Sequence, residues 1–427
     1  MHGARATIAE MRRLALALVC LLALGAPGLA RAGEQTLTFR SAPISIESFG
    51  VQQQVLFVPS PSVDGYITSM DATVIDANGN PEPASHTMLH HIVFMKLGAP
   101  DYTCRTLPVQ RFYAAGEEHS QIALPSGYGY PNKGSDHWAM LYMLMNHHAL
   151  ASTVWIEYRV HYVTDEQLTA VKPVWLDVRD CGSSEFDVPG TGGPGSTFTE
   201  KWDFTMPEGG RIVAAGGHLH GGAVGLDVTD TTCGRSLYSS LPTWGGAPVF
   251  PVMHEPGPTH MSSLTSSEGI PFAAGDTLRL SATYDDSRPH VRAMGISIAY
   301  ILPGQVSGCP PLPAVAPDSE SHPGPAPVTV LPLLKQPTGR LAKNITTTQV
   351  GDYVFAAQRV SIARGTMFTW NFVGAVPHDV TLATGPVGFS SPHMKSGAFS
   401  YTFTRPGVYK LFCSLHPTRM TQVVTVR

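Results

Sequence analysis

The stretch Gly216-Gly217-His218-Leu219-His220-Gly221-Gly222 decides how the rest of the chain is read. It is flanked by β-forming Ile212-Val213 and by Val224-Gly225-Leu226-Asp227-Val228. In a strand, successive side chains alternate between faces, so two histidines with one residue between them project from one face and can share a metal ion. A histidine taken singly is usually a polar residue satisfied by a hydrogen bond. The metal reading gains its weight from company: His90-His91, His147-His148, Met294 and a Cys/His/Met set near the end.

At 427 residues the chain is long enough for two or three domains, each with its own core. Charged residues are only 14%, the formal net charge is -4 and no basic patch appears, which argues against nucleic acid as a partner. Glycine (42) and proline (36) are abundant, and short apolar runs are separated by turn residues. That pattern predicts an all-β chain.

Residues 1–32 read as an export signal. Arg5, Arg12 and Arg13 precede an apolar run over 14–24, and Ala30-Arg31-Ala32 supplies a small-x-small cleavage site. The run is too short to span a membrane, and no later stretch is apolar enough to do so. The expected location is therefore secreted or periplasmic. Cys20 leaves with the signal. Cys104, Cys181, Cys233 and Cys309 form an even set for which two disulfides are the default in an oxidising compartment. Pairing Cys104 with Cys181 and Cys233 with Cys309 is preferred because each bridge then stays within one predicted domain.

β-like runs recur over 33–188, the first predicted domain, and the Gly/Pro-rich loop 188–195 marks a junction. A second set fills 189–302. From 303 to 345 the composition turns to proline, alanine and serine, as in a semi-extended linker. Residues 346–427 are β-like again.

His90 and His91 are adjacent on the apolar run Thr87-Met-Leu-His-His-Ile-Val-Phe-Met95, so ideal strand geometry sends them to opposite faces. Both reach one metal only at a bulge or strand end. His147 closes another apolar strand, 138–147, and is a third nitrogen; His148 and His161 compete for that place. His119, His137, His254, His260 and His290 are read as supporting groups or ordinary surface residues.

The order His-His, strand-ending His, His-x-His, Met resembles the copper type II, ascorbate-dependent monooxygenases, the peptidylglycine and dopamine β-monooxygenase group. The resemblance covers about 87–302. It rests also on Leu124-Pro-Ser-Gly127, Phe250-Pro-Val-Met-His254, Gly275-Asp-Thr-Leu-Arg-Leu280 and Ala293-Met-Gly-Ile-Ser-Ile-Ala-Tyr300. It implies two jelly-roll-like sandwiches, a three-histidine copper site at His90, His91 and His147, and a second copper on His218, His220 and Met294. The two would be magnetically uncoupled, with hydroxylation at the methionine site. Imidazole suits both copper oxidation states, while the soft thioether favours Cu(I). Gly216 stands where the peptidylglycine enzymes carry a carboxylate-holding arginine, and Ile296 and Ile298 follow the methionine, so a more apolar substrate, or none, is expected.

Near the end, His378 on an upstream loop is followed by Cys413-Ser-Leu-His416-Pro-Thr-Arg-Met420. Two imidazoles, a thiolate and a thioether are the ligand set of a blue-copper site. A buried structural cysteine is the alternative for Cys413. The segment resembles cupredoxins of the plastocyanin and amicyanin type, which implies His378, Cys413, His416 and Met420 as ligands and electron transfer as the role. The whole is expected to be an exported copper monooxygenase acting on an unidentified small molecule or peptide, with an external redox partner or a reductant such as ascorbate. Two other readings remain: a copper-handling protein without oxygenase activity, and an adhesion-type β-sandwich array with vestigial sites.

Overall fold

The computed structural model describes residues 33–118, 123–245, 255–316, 318, 320 and 335–427. The export segment, His119 and the 250–254 landmark lie outside them. Among the described residues the regular secondary structure is all strand, as the short apolar runs predict, and no helix is long and apolar enough to cross a membrane.

The first unit sets a six-stranded sheet, built on Ser152–Val163 and Gly65–Ile75, against a four-stranded sheet ordered Val51–Val58, Trp138–Asn146, Thr87–Leu97, Val109–Gly116. Phe94, Phe112, Trp138, Tyr158 and Tyr162 fill the space between them. Aromatic side chains of this size bury ~150–250 Å² each and dominate the core's energetics. The Thr87–Leu97 strand slips register against Trp138–Asn146 between Leu89 and His91, leaving His90 as the extra residue of a β-bulge. The bulge removes the alternation that would separate His90 from His91.

The second unit pairs a sheet ordered Lys172–Asp177, Gly295–Pro303, Gly210–Leu219, Leu264–Phe272 with one ordered Thr197–Thr205, Thr277–Asp285, Ala223–Asp230, Arg235–Ser240. Lys172–Asp177, which the sequence reading assigns to the first domain, is hydrogen-bonded along Gly295–Pro303 in the second. The crossing between units therefore precedes the glycine-rich loop. The two cores also interlock: Val213, Ala214, Met294, Ile296, Ile298 and Tyr300 pack into the first unit's cluster.

Both expected disulfides are present, Cys104–Cys181 and Cys233–Cys309. The second ties the start of the proline-rich segment onto the second sandwich, where Val315 also packs and His260 holds Asp318 at 3.0 Å. That part of the linker is laid on the fold.

The third unit has a five-stranded sheet, Leu341–Lys343, Arg359–Ile362, Thr421–Val426, Gly407–Phe412, Thr381–Thr384. It packs over a four-stranded sheet containing Thr347–Gly351, Met367–His378 and Met394–Thr402, around Trp370, Phe403 and Tyr409. The unit docks directly on the second sandwich: Gly388 N–H donates to Pro189 O at 3.1 Å, and Ser390 N–H to Asp187 Oδ2 at 2.6 Å.

Candidate metal centres

At the end of the third unit the Met367–His378 strand delivers His378, and the loop after Gly407–Phe412 delivers Cys413, His416 and Met420. The loop is closed by its own backbone: His416 N–H donates to Cys413 O at 3.1 Å, Met420 N–H to His416 O at 3.0 Å, and Cys413 N–H to Met420 O at 3.1 Å. His378 Nδ1 lies 3.1 Å from His416 Nδ1, and Cys413 Sγ lies 3.8 Å and 3.5 Å from those two nitrogens. The point equidistant from the three atoms is roughly 2 Å from each, a metal–ligand bond length. Met420 is buried beside them and available as axial thioether. Burial and the nearby His378 push the pKa of His416 down to about 4, which keeps that ring neutral at physiological pH, as a ligand must be. Burial pushes the Cys413 thiol up, so the thiolate forms only with a cation to pair it.

In the second unit His218 closes the Gly210–Leu219 strand and His220 follows it. Their Nε2 atoms face each other at 3.1 Å. Each Nδ1 is committed elsewhere, His218 to Glu118 Oε2 at 3.0 Å and His220 to the Arg292 carbonyl at 2.7 Å. A metal-ligating histidine characteristically donates its other ring N–H to a carboxylate or carbonyl, which fixes the tautomer. Two Nε2 lone pairs aimed at one another repel unless a proton or a metal ion lies between them, and with both Nδ1 atoms anchored the donor set accommodates a bound metal. Met294 is buried next to the pair, and Tyr284 clips the two together. Its hydroxyl accepts from His220 N–H at 2.8 Å and donates to Met294 O at 2.6 Å. Burial opposes charge on His218, but the charge and hydrogen bond of Glu118, helped by Glu117 and Asp177, outweigh it and hold its pKa above the ordinary imidazole value.

At the bulge, His90 Nδ1 and His91 Nδ1 are 3.1 Å apart. Burial, reinforced by His218, pushes the pKa of His91 down to about 3. His147 follows the Trp138–Asn146 strand, and the pairing of that strand with Thr87–Leu97 sets its place. His91 faces Met143 while Thr87 faces Asn146, so His147 falls past the strand end, where its backbone N–H donates to His86 O at 2.7 Å. Of its competitors, His148 packs its ring on His86, and His161 lies in the other sheet opposite Thr36. The pairs expected to be separate are close, because the His90 ring meets the His220 ring at 4.8 Å between centroids.

A cavity of about 380 Å³ opens onto His91, His218 and Met294 and is walled by Ile92, Val93, Trp175, Ile296 and Ile298. Glu118 and Arg292 escape a sequence reading because each reaches its histidine across the fold. Met143 and Met145, which line a neighbouring cavity with His90 and His220, look in sequence like ordinary core residues.

Fold and ligand geometry together define the C-terminal unit as a cupredoxin, a β-sandwich that binds copper at a type 1 site. Residues 342–427 match the model for copper-binding proteins of the plastocyanin/azurin family, and this domain belongs to that family. A purple cupredoxin from Nitrosopumilus maritimus is 29% identical, the match covering 19% of this chain and 100% of that one at a TM-score of 0.18. An oxidised amicyanin variant is 27% identical over 19% of this chain and 80% of its own, TM-score 0.18. The Cu(I) form of another is 29% identical over 20% and 85%, TM-score 0.19. No curated protein matches the chain.

Proposed function

We propose that the chain is an exported copper oxidoreductase in which His218, His220 and Met294 hold the copper at which dioxygen is used to hydroxylate a small apolar substrate, with the cupredoxin supplying electrons. The observation that carries this reading is the pair of Nε2 atoms facing each other at 3.1 Å, with both Nδ1 atoms anchored, at the wall of an apolar cavity. Copper held there contributes one-electron chemistry with dioxygen. The chain's own residues do the rest. Glu118 and the Arg292 carbonyl hold the ring tautomers, Tyr284 fixes the spacing of His220 and Met294, and Ile296 and Ile298 present an apolar wall beside them. The two guanidinium groups on the cavity wall are committed, Arg111 to Asp101 at 2.8 Å and Arg292 to Glu185 and Asp379. A carboxylate substrate therefore finds no unneutralised arginine, which favours an apolar one. Two disulfides support an oxidising compartment.

Copper-loaded protein should consume oxygen in a reductant-dependent way, ascorbate serving as donor, and faster when a matching compound from an apolar panel is added. Absence of any consumption in fully loaded protein sinks the oxygenase reading. It would then favour copper handling, a reading supported by the Met88, Met143 and Met145 cluster, whose soft sulfurs suit Cu(I).

A further inference from the structure

Arg292 has a backbone φ of 56°, a left-handed conformation that costs a residue with a Cβ of order 1 kcal/mol and persists only where the surroundings impose it. Its carbonyl accepts from His220 Nδ1 at 2.7 Å. Its N–H donates to Asp187 Oδ1 at 3.0 Å, and Asp187 in turn receives Ser390 N–H of the cupredoxin. Its guanidinium pairs with Glu185, crosses to Asp379 and donates to Ser391 O at 3.0 Å. Asp379 is fully buried, directly follows the ligand His378, and accepts from Ser414 N–H at 2.6 Å and Ser414 Oγ at 2.7 Å. Ser414 directly follows the ligand Cys413.

We infer that Arg292 and Asp379 are the latch and the bonded connection between the cupredoxin centre and the His218–His220 centre. Resting on the function proposed above, the path runs from Cys413 through the Ser414 peptide to Asp379, to Arg292, and from its carbonyl to His220. The contacts are hydrogen bonds to charged groups in a buried setting, the strong kind. One electron leaves copper(I) at the Cys413 set and reaches copper(II) at the histidine pair with no bond made or broken. A one-electron reductant of the enediol class, ascorbate in the test, restores the donor. Arg292 and Asp379 are positioning residues: each acts through a ligand's neighbour or a ligand's hydrogen bond.

The test is pulse radiolysis of the full, copper-loaded chain, following reoxidation of the blue band after rapid reduction, together with small-angle scattering of the metal-free chain. Arg292→Gln and Asp379→Asn should slow reoxidation at least tenfold while the blue band itself survives, and Arg292→Gln should enlarge the radius of gyration. Because Arg292→Gln leaves the buried Asp379 and the half-buried Glu185 without their partner, Arg292→Lys is the control that retains the charge. It should keep the compact envelope and still slow transfer several-fold, since an ammonium cannot reproduce the planar fork. Unchanged reoxidation in Arg292→Lys and Asp379→Asn overturns the connection. No reoxidation in the wild type with both centres loaded overturns the electron-transfer reading, and the connection with it.

Discussion

His90 and His220 come from different sandwiches, yet their rings meet edge to face with centroids 4.8 Å apart. The bulge at Leu89/His91 turns His90 toward the partner sandwich, and the interlocked cores hold the two units at that distance. Copper bound at one pair is thereby within reach of the other. In a chain loaded at both, His90→Ala should alter the EPR signal of the copper left on His218 and His220. Identical spectra before and after the substitution would show two independent centres.

Glu118 sets the tautomer of His218 from across the fold. Glu118→Gln keeps the shape but removes the charge, and loss of such a supporting carboxylate typically costs 10- to 100-fold in metal affinity. Chelator competition on the copper-loaded protein should show about that loss at one centre and none at the cupredoxin.

Cys413→Ser should abolish the intense thiolate-to-copper band and lower copper content by one equivalent. The domain should stay folded, because its core rests on Trp370, Phe403 and Tyr409 rather than on the metal. A variant that stays blue excludes Cys413 as the ligand.

Met294→Ala removes the thioether that the proposed function uses as the soft ligand beside His220. Oxygen consumption should vanish while the blue band and copper at the other pair persist; full turnover in the variant would dismiss the assignment of this centre. Burial of the thioether adds a stability cost of about 2–5 kcal/mol, readable by denaturant titration.

Asp101 is buried and grips Arg111 through two oxygens, at 2.8 and 2.9 Å. Burial pushes its pKa up, but the Arg111 hydrogen bonds and charge prevail and hold the carboxyl below its ordinary value. The folded state therefore binds its proton less readily than the unfolded chain does. Its contribution is complete at neutral pH and is lost as acidification passes below the ordinary carboxylate range. Asp101→Asn should cost about 3–5 kcal/mol at pH 7, and the difference from wild type should shrink in acid. A constant difference across that range would contradict the linkage.

How much was legible in the sequence follows how local each feature is. The blue-copper loop was readable because Cys413, His416 and Met420 sit within one turn-rich segment whose backbone closes on itself. Strand alternation pointed to His218 and His220 as a pair, although His220 lies just past the strand end and its ring is anchored by the Arg292 carbonyl. Both cysteine pairings were also correctly preferred. The place of His147 depends on the register between two strands, and an apolar strand such as 172–177 does not announce in sequence which sheet it will join.

By itself, then, the chain's order of residues determined the donor types, the β-architecture and the copper-binding character of its last domain, since these depend on side-chain chemistry and short-range periodicity. Only the tertiary structure decided that His90 meets His220, that Glu118 and the Arg292 carbonyl orient the imidazoles, and that Arg292 reaches Asp379. Those contacts join residues far apart in the chain, and their geometry is set by sheet register, a bulge and the packing of one sandwich on another, none of which a linear pattern encodes.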